Sequence, residues 1–322
     1  MKHECNALIG AIDAYIAKKE DNLEDILNSE GYADAAETVK EVTKLEKKIA
    51  VALISETDMV KSALKESNNL GDFIMRVWPQ IKENKVLKNT LAKILVEEYS
   101  TIIPELATSY IAAVDPAMKV TNLTRKTTAW IHDWSVDLAE KMQLNSHSEI
   151  DRMLTAAFNE GMSIPAFTRE LIESGLRNEH YKARRAALTE LLRAHCYAQQ
   201  EGYTQSPAVD EKMWMHTGAY RNTPRLNHVA MNGVRVPVNE TFTLFGADGG
   251  IYHPMMPKDT SLPAGESINC HCIIQPVVSE KILGLPLEER QRMQAEIIAA
   301  DDGAWEAEYD AQMKARAGIE EV

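Results

Sequence analysis

Residues 268–278 read INCHCIIQPVV. The β-branched run that closes this stretch predicts a strand, and in an extended strand residues two apart face the same side. The thiols of Cys270 and Cys272 are then expected to point together, with His271 turned away toward a surface or an interface. Cysteines so placed are poor disulfide partners, because their Cα atoms stand near or beyond the usual limit of ~7 Å. They suit two roles: a reduced structural pair, or two sulfur ligands for one ion. Zinc would need two further ligands. His228 and His253 are the upstream imidazoles expected to supply them, with Asp259 a weaker option, so the candidate metal set is Cys270, Cys272, His228 and His253.

The surrounding sequence predicts a small loop-rich α+β module. Between residues 203 and 277 lie Pro207, Pro224, Pro237, Pro254, Pro257, Pro263 and Pro276, together with Gly218, Gly233, Gly246, Gly249, Gly250 and Gly265. Long helices are excluded there. Val234, Val236 and Val238 alternate as in a strand, and Pro237 assigns it to a sheet edge. Phe242–Phe245 and Ile251–Tyr252 read as a hairpin turning at Asp248, Gly249 and Gly250. Asn232-Gly233 predicts a tight turn just after His228. In that position a histidine can be a ligand, a general base or a hydrogen-bonded brace.

Upstream the chain reads as helices, which makes the fold class α+β and mainly helical. Val42, Leu45, Ile49 and Ala52 form a stripe resembling a short coiled-coil seam, interrupted by Glu56. Val86, Leu87, Thr90, Leu91, Ile94 and Leu95 form a second, which Pro104 is expected to end. Trp130, Trp134, Leu138 and Met142 predict the core face of a third helix. The next is expected to stop at Gly161, and a following one to start near Ser163 and Pro165 and leave at Gly175. A long helix is expected over 179–200, with Gly202 as its stop. It carries Arg184, Arg185, Thr189, Glu190, Arg193 and Cys196. Thr189 and Glu190 are expected to orient the proline-rich loops, and Cys196 to be an apolar filler. Residues 286–318 predict an acidic helical tail in which Trp305 packs against another group.

Composition removes several function classes. The 322 residues carry a formal net charge of −13, which disfavours a general nucleic-acid coat. A basic cluster of Arg177, Lys182, Arg184, Arg185 and Arg193 leaves room for local phosphate contact, against an ordinary solvated helix face. No apolar run reaches the roughly 18–20 residues that span a bilayer, and the first residues do not read as a secretory leader. The four cysteines form no disulfide framework. HExxH, GxSxG, the phosphate-binding P-loop and GxGxxG are all absent.

The order of motifs resembles a known family. A helix carrying Ala187, Leu188, Thr189 and Glu190 is followed by Trp214, Thr217, Arg221, His228, Asn232-Gly233, Phe242 and Pro257, and the module closes with Asn269-Cys270-His271-Cys272. This pattern resembles the phage head morphogenesis family, the Mu F-like minor capsid proteins of tailed phages. Leu188 and His271 stand where such proteins often carry arginine. The resemblance covers roughly Arg125 to Val277 and implies a head morphogenesis domain over 121–277, with the helical N-terminal region over 1–120 before it and the acidic helical tail over 278–322 after it. It implies a non-enzymatic minor head component in the virion, assembled in the host cytoplasm and associated with portal, major capsid or scaffold protein. Weak contact with packaged DNA and a part in ejection belong to the same expectation, and no membrane role does. The rival reading is a metal-dependent hydrolase or nuclease using His228, Cys270, Cys272 and Glu190.

Overall fold

The structure is a computed structural model that describes residues 23–217 and 224–317, side chains at 174–181 and 312–317 excepted. Cys5, Arg221 and the side chain of Arg177 fall outside these residues. Helices α1 (Leu23–Ser29), α2 (Ala35–Glu66) and α3 (Leu70–Asp72) lead through a π-helical turn, Phe73–Val77, into α4 (Trp78–Glu83), α5 (Val86–Val114), α6 (Arg125–Asn159) and α7 (Ile164–Gln205). Then come β1 (Val209–Met215), α8 (Leu226–Ala230), β2 (Arg235–Pro237), β3 (Leu244–Phe245), β4 (Ile251–Tyr252), α9 (Ala264–Ser267), β5 (Ile273–Val278), α10 (Glu280–Leu283) and α11 (Leu287–Ala317). The mainly helical α+β reading stands. The chain divides into two compact units, one of residues 42–102 and 125–190, the other of residues 1–41, 103–124 and 191–322.

The unit of residues 42–102 and 125–190 is helical. Val42, Leu45, Ile49 and Ala52 are buried along one face of α2, as their spacing requires. Glu56 continues that face and is buried too, because its carboxylate accepts from Ser146 Oγ at 2.7 Å and meets His147 Nε2 at 2.7 Å. The seam is therefore closed by a polar network. Below it, Val60, Leu64, Phe73, Trp78, Ile150, Leu154, Phe167 and Leu171 make one apolar core.

Several helix expectations need correction. The buried face of α6 is Thr127, Ile131, Ser135, Ala139, Gln143 and His147, while Trp130, Trp134, Leu138 and Met142 flank it half-buried. Buried residues at steps of four face the neighbouring helices, with Ser135 and Ala139 small at the middle of the stripe and the tryptophans beside it. Helix α5 runs through Pro104. The lost backbone bond costs about 3 kcal/mol, and the buried Ile103, Leu106, Ala107 and Ile111 outweigh it. Gly175 and Gly202 lie inside α7. A Cβ at Gly202 would stand 2.8 Å from the Ala107 carbonyl oxygen, so this glycine permits a close helix crossing. Gly161, with φ +66°, is a true stop: Met162 N–H donates to Ala157 O at 2.9 Å. Glu190 accepts from Tyr99 Oη at 2.8 Å and from Trp134 Nε1 at 2.9 Å, so it braces helices of its own unit. Lys182 pairs with Glu149, Arg184 with Glu46, and Arg193 donates to the Lys258 carbonyl, which spends these basic groups internally.

The other unit holds an antiparallel sheet in the order β2-β1-β5, with Trp214 opposite Ile274 and Lys212 opposite Val236. Pro237 is on the edge strand, as expected, and β3 and β4 form the expected hairpin. The central strand β1 was not expected. It places Trp214, fully buried, edge-on to Phe242 at 5.3 Å and to His228 at 5.7 Å. Trp305 stacks on Tyr309 within α11 at 5.1 Å.

His195, on α7, is fully buried, with Nδ1 at 2.8 Å from Tyr110 Oη and Nε2 at 2.7 Å from Thr38 Oγ1. Burial, reinforced by the Lys258 charge, lowers its pKa to about 3. Because the folded value lies below the unfolded one, the unfolded chain binds more protons between pH 6.5 and 3. His195 therefore removes stability as pH falls through that window, by up to about 1.4 kcal/mol per pH unit. In denaturant titrations at pH 7, 6, 5 and 4, His195→Gln is expected to show a shallower loss of stability than the unsubstituted chain. Equal slopes would contradict this account.

Candidate metal centre

Three elements bring the site together. Helix α8 follows Pro224 and carries His228, buried, on its inner face. Arg225 NH2 donates to Ile268 O at 2.7 Å, fastening α8 to the chain that leads into the cysteines. That chain is a turn, which corrects the expected strand over 268–272. Ile268 ends α9, Asn269 takes the left-handed conformation with φ +56°, and Cys270 N–H reaches back to Ser267 O at 3.3 Å. Asparagine tolerates that conformation better than most residues, which is the local reason for its place before Cys270. Strand β5 begins only at Ile273, paired with Met215 of β1.

The turn still delivers both thiols to one imidazole. His228 Nδ1 lies 3.5 Å from Cys270 Sγ and 3.6 Å from Cys272 Sγ, and the three candidate ligand atoms all lie within 4.8 Å of one another. All three residues are buried. His228 Nε2 meets Glu266 Oε2 at 2.9 Å. That contact places the proton on Nε2 and leaves the Nδ1 lone pair facing sulfur. Glu266 is itself held by Asn227 Nδ2 at 3.1 Å and by the Ala247 N–H at 2.9 Å. Burial alone would raise its pKa, but these donors and His228 outweigh burial and keep it below the ordinary carboxylate value.

Two further groups favour sulfur in its charged form. Lys258, fully buried with φ +64°, donates to Cys272 O at 2.6 Å and to Tyr32 Oη at 3.1 Å. Burial would lower its pKa, yet the neighbouring Cys196, Cys270 and Cys272 raise it overall. The indole N–H of Trp214 has no oxygen or nitrogen partner and lies close enough to Cys272 to favour its thiolate. The Cys270 thiol is lowered, first by a hydrogen bond with Cys272 and then by Lys258 and His228 against burial. Cys272 is correspondingly raised by the same hydrogen bond and by burial.

The remaining expectations sort as follows. His253 is exposed, with Nδ1 3.5 Å from Thr243 Oγ1, and is not brought to the cluster. Asp259 braces its own turn, accepting from Met255 N–H at 2.8 Å and Ser261 N–H at 2.9 Å. Glu190, in the other compact unit, has its carboxylate on Tyr99 and Trp134. His271 is an internal clasp rather than a surface group: Nδ1 meets Glu30 Oε2 at 2.7 Å and its carbonyl accepts from Tyr32 and Thr217. Cys196 is buried, as expected of an apolar filler, and burial raises its pKa. Sequence reasoning missed Glu266. The available signal was its place as the nearest carboxylate to Cys270, in a short helix where an acidic residue can face inward.

This geometry corrects the expectation of a chain without catalytic chemistry. A buried His–Cys–Cys cluster backed by a Glu266 ion pair is a plausible metal-binding or catalytic site. Two sulfurs and one nitrogen, all desolvated and with the imidazole tautomer fixed, fit a thiophilic divalent ion.

Comparison with known proteins places the cluster inside the matched segment. The family described as Phage Mu protein F like protein matches residues 148–275, which include His228, Glu266, Cys270 and Cys272. The chain is also similar to the uncharacterized protein YqbB of Bacillus subtilis (strain 168), 40% identical over 201 residues. That match covers 61% of this chain and 63% of YqbB, so it spans less than two thirds of the relative's length. No solved structure matches the chain. Among the described residues no helix is long and apolar enough to cross a membrane.

Glu266→Gln keeps a hydrogen-bonding side chain but removes the charge that orients His228. In competition titrations against a chromophoric chelator, this variant is expected to bind a thiophilic divalent ion about 10- to 100-fold more weakly than the unsubstituted chain. Equal affinities would show that Glu266 does not tune the imidazole.

Proposed function

We propose that the protein acts in phage head morphogenesis as a minor capsid component associated with the portal or the inner head, and that its His228–Cys270–Cys272 centre holds zinc in that setting. The observation that carries this reading is the position of the ligand cluster within the segment similar to Phage Mu protein F like protein. The acidic charge of the chain favours protein partners, such as portal, major capsid or scaffold protein, over extensive DNA contact. Its places of action would be the host cytoplasm during assembly and then the virion, with a part in genome ejection.

The test is made on particles. The protein is expected in purified heads by mass spectrometry, and heads assembled without it are expected to be defective in filling or in infection. Particles that lack it and still assemble, fill and infect normally would remove the proposal.

A second reading is favoured by the ligand count. Two cysteines and one histidine are the protein ligands of one known class of catalytic zinc centre, in which a fourth position takes water or substrate. A metal-dependent hydrolase built on this set would use Glu266, not Glu190, as the carboxylate behind the imidazole. Zinc-loaded chain is expected to hydrolyse ester, peptide or nucleic-acid probes in a manner lost in Cys270→Ser. Turnover equal in both would exclude chemistry at this centre.

A further inference from the structure

His216 was no part of the candidate set, yet the fold puts it beside the sulfurs. It follows the last residue of β1, and its Nδ1 stands 3.5 Å from Cys272 Sγ. Two bonds fix the backbone there. The His216 N–H donates to Asn232 Oδ1 at 2.9 Å, and the next residue, Thr217, donates through Oγ1 to the carbonyl of His271 at 2.7 Å. That carbonyl belongs to the residue between the two cysteines, so His216 is held in register with the ligand turn.

The separations agree with a common centre. Tetrahedral zinc with Zn–S near 2.3 Å and Zn–N near 2.0–2.1 Å sets sulfur and nitrogen about 3.6 Å apart. The three sulfur–nitrogen distances are 3.5, 3.6 and 3.5 Å, for Cys270–His228, Cys272–His228 and Cys272–His216. Direct hydrogen bonds explain them less well. The single Nδ1 lone pair of His228 cannot align with S–H protons from two sulfurs at once, whereas one ion between His228, Cys270 and Cys272 satisfies both of its sulfur contacts.

His216 differs from the other three in two respects. It is half-buried where they are buried, and its Nδ1 lies outside the set whose ligand atoms are all within 4.8 Å of one another. It stands beside one of the two sulfurs.

We propose that His216 Nδ1 is the fourth ligand of the metal centre, completing a Cys2His2 set, and that it is the exchangeable one. With His216 bound, the ion has no position for water. With His216 withdrawn, the ion is left with His228, Cys270, Cys272 and one open position on the half-buried side. His216 therefore decides between a closed centre and one able to take an exogenous oxygen or nitrogen ligand. This inference rests on the zinc reading above.

The test uses the full chain loaded with zinc, and with cobalt(II) as a spectroscopic substitute. X-ray absorption of the unsubstituted zinc protein is expected to give two sulfurs and two imidazoles. His216→Ala is expected to give two sulfurs, one imidazole and one light atom, with zinc affinity lower by about 10-fold or more. His216→Cys is expected to add a third sulfur and to raise the cobalt thiolate charge-transfer band, a gain that a merely misfolded variant would not show. His253→Ala is expected to match the unsubstituted protein. A zinc protein with a single imidazole, unchanged by His216→Ala, overturns the assignment of His216 while leaving the three-ligand centre standing. Failure of the unsubstituted chain to take up zinc overturns the zinc reading and this inference with it.

Discussion

The hydrogen bond between the Glu266 carboxylate and His228 Nε2 is the contact on which the chemistry of this fold depends. An imidazole has two nitrogens, and in the neutral ring only one can offer a lone pair. With Glu266 at 2.9 Å from Nε2, that lone pair is on Nδ1 and faces Cys270 and Cys272. Without the carboxylate the same three residues would be a neutral hydrogen-bonded knot. The fold spends much of its polar inventory on keeping Glu266 in place, with Asn227 on one oxygen and the Ala247 N–H on the other. Desolvation makes each of these bonds costly to lose.

Charge balance follows from the same burial. Lys258 brings a full positive charge to a place where burial alone would neutralise it, and its ammonium donates to the Cys272 carbonyl and the Tyr32 hydroxyl. The nearby groups that favour its charge are the thiols of Cys196, Cys270 and Cys272. With Lys258 and the Trp214 indole gathered around two cysteines, the Cys270 thiol is lowered while the Cys272 thiol stays raised by burial and by its hydrogen bond with Cys270. An apolar or neutral cage would have served a reduced structural pair equally well. The positive surroundings are what separate a ligand pair from a packing pair.

The sequence made the parts of this site readable to different depths. Cys270 and Cys272 were legible because two cysteines separated by one residue are distinctive in a chain of four, and His228 because a turn follows it closely. The local reason for their meeting was misread. The β-branched run at 273–278 was extended backward over the cysteines, whereas Asn269 marks a left-handed turn that ends before the strand begins. Glu266 and His216 were hidden for a common reason. Each acts through a partner far away in sequence, and short-range patterns carry no information about such pairs. Strand β1 was missed because Asp210, Glu211 and Lys212 dilute its alternation, while Lys212 is buried with Gln200 and the Phe242 ring beside its ammonium. In the helices the apolar stripe at 42–52 was reliable. The tryptophans at 130 and 134 misled because they flank the buried stripe of their helix and do not lie on it.

The two uncommon backbone states near the centre, at Lys258 and Asn269, bear on what the site is for. A left-handed conformation at a non-glycine residue costs of order 1 kcal/mol or more and persists only where the surroundings hold it. Both residues lie within the segment that carries the sulfurs or donates to it, with Arg193 bonded to the Lys258 carbonyl and Arg225 to the Ile268 carbonyl just before Asn269. Elsewhere in the described residues such a conformation at a non-glycine residue occurs only at Asp34. Strain placed beside one buried cluster argues that the turn is shaped for the position of its thiols and not for the packing of the sheet. A module needing only a hydrophobic anchor could have extended β5 by a few residues and avoided both costs. The chain instead interrupts the strand to set two sulfurs against one oriented imidazole, and that choice is what a bound cation would reward.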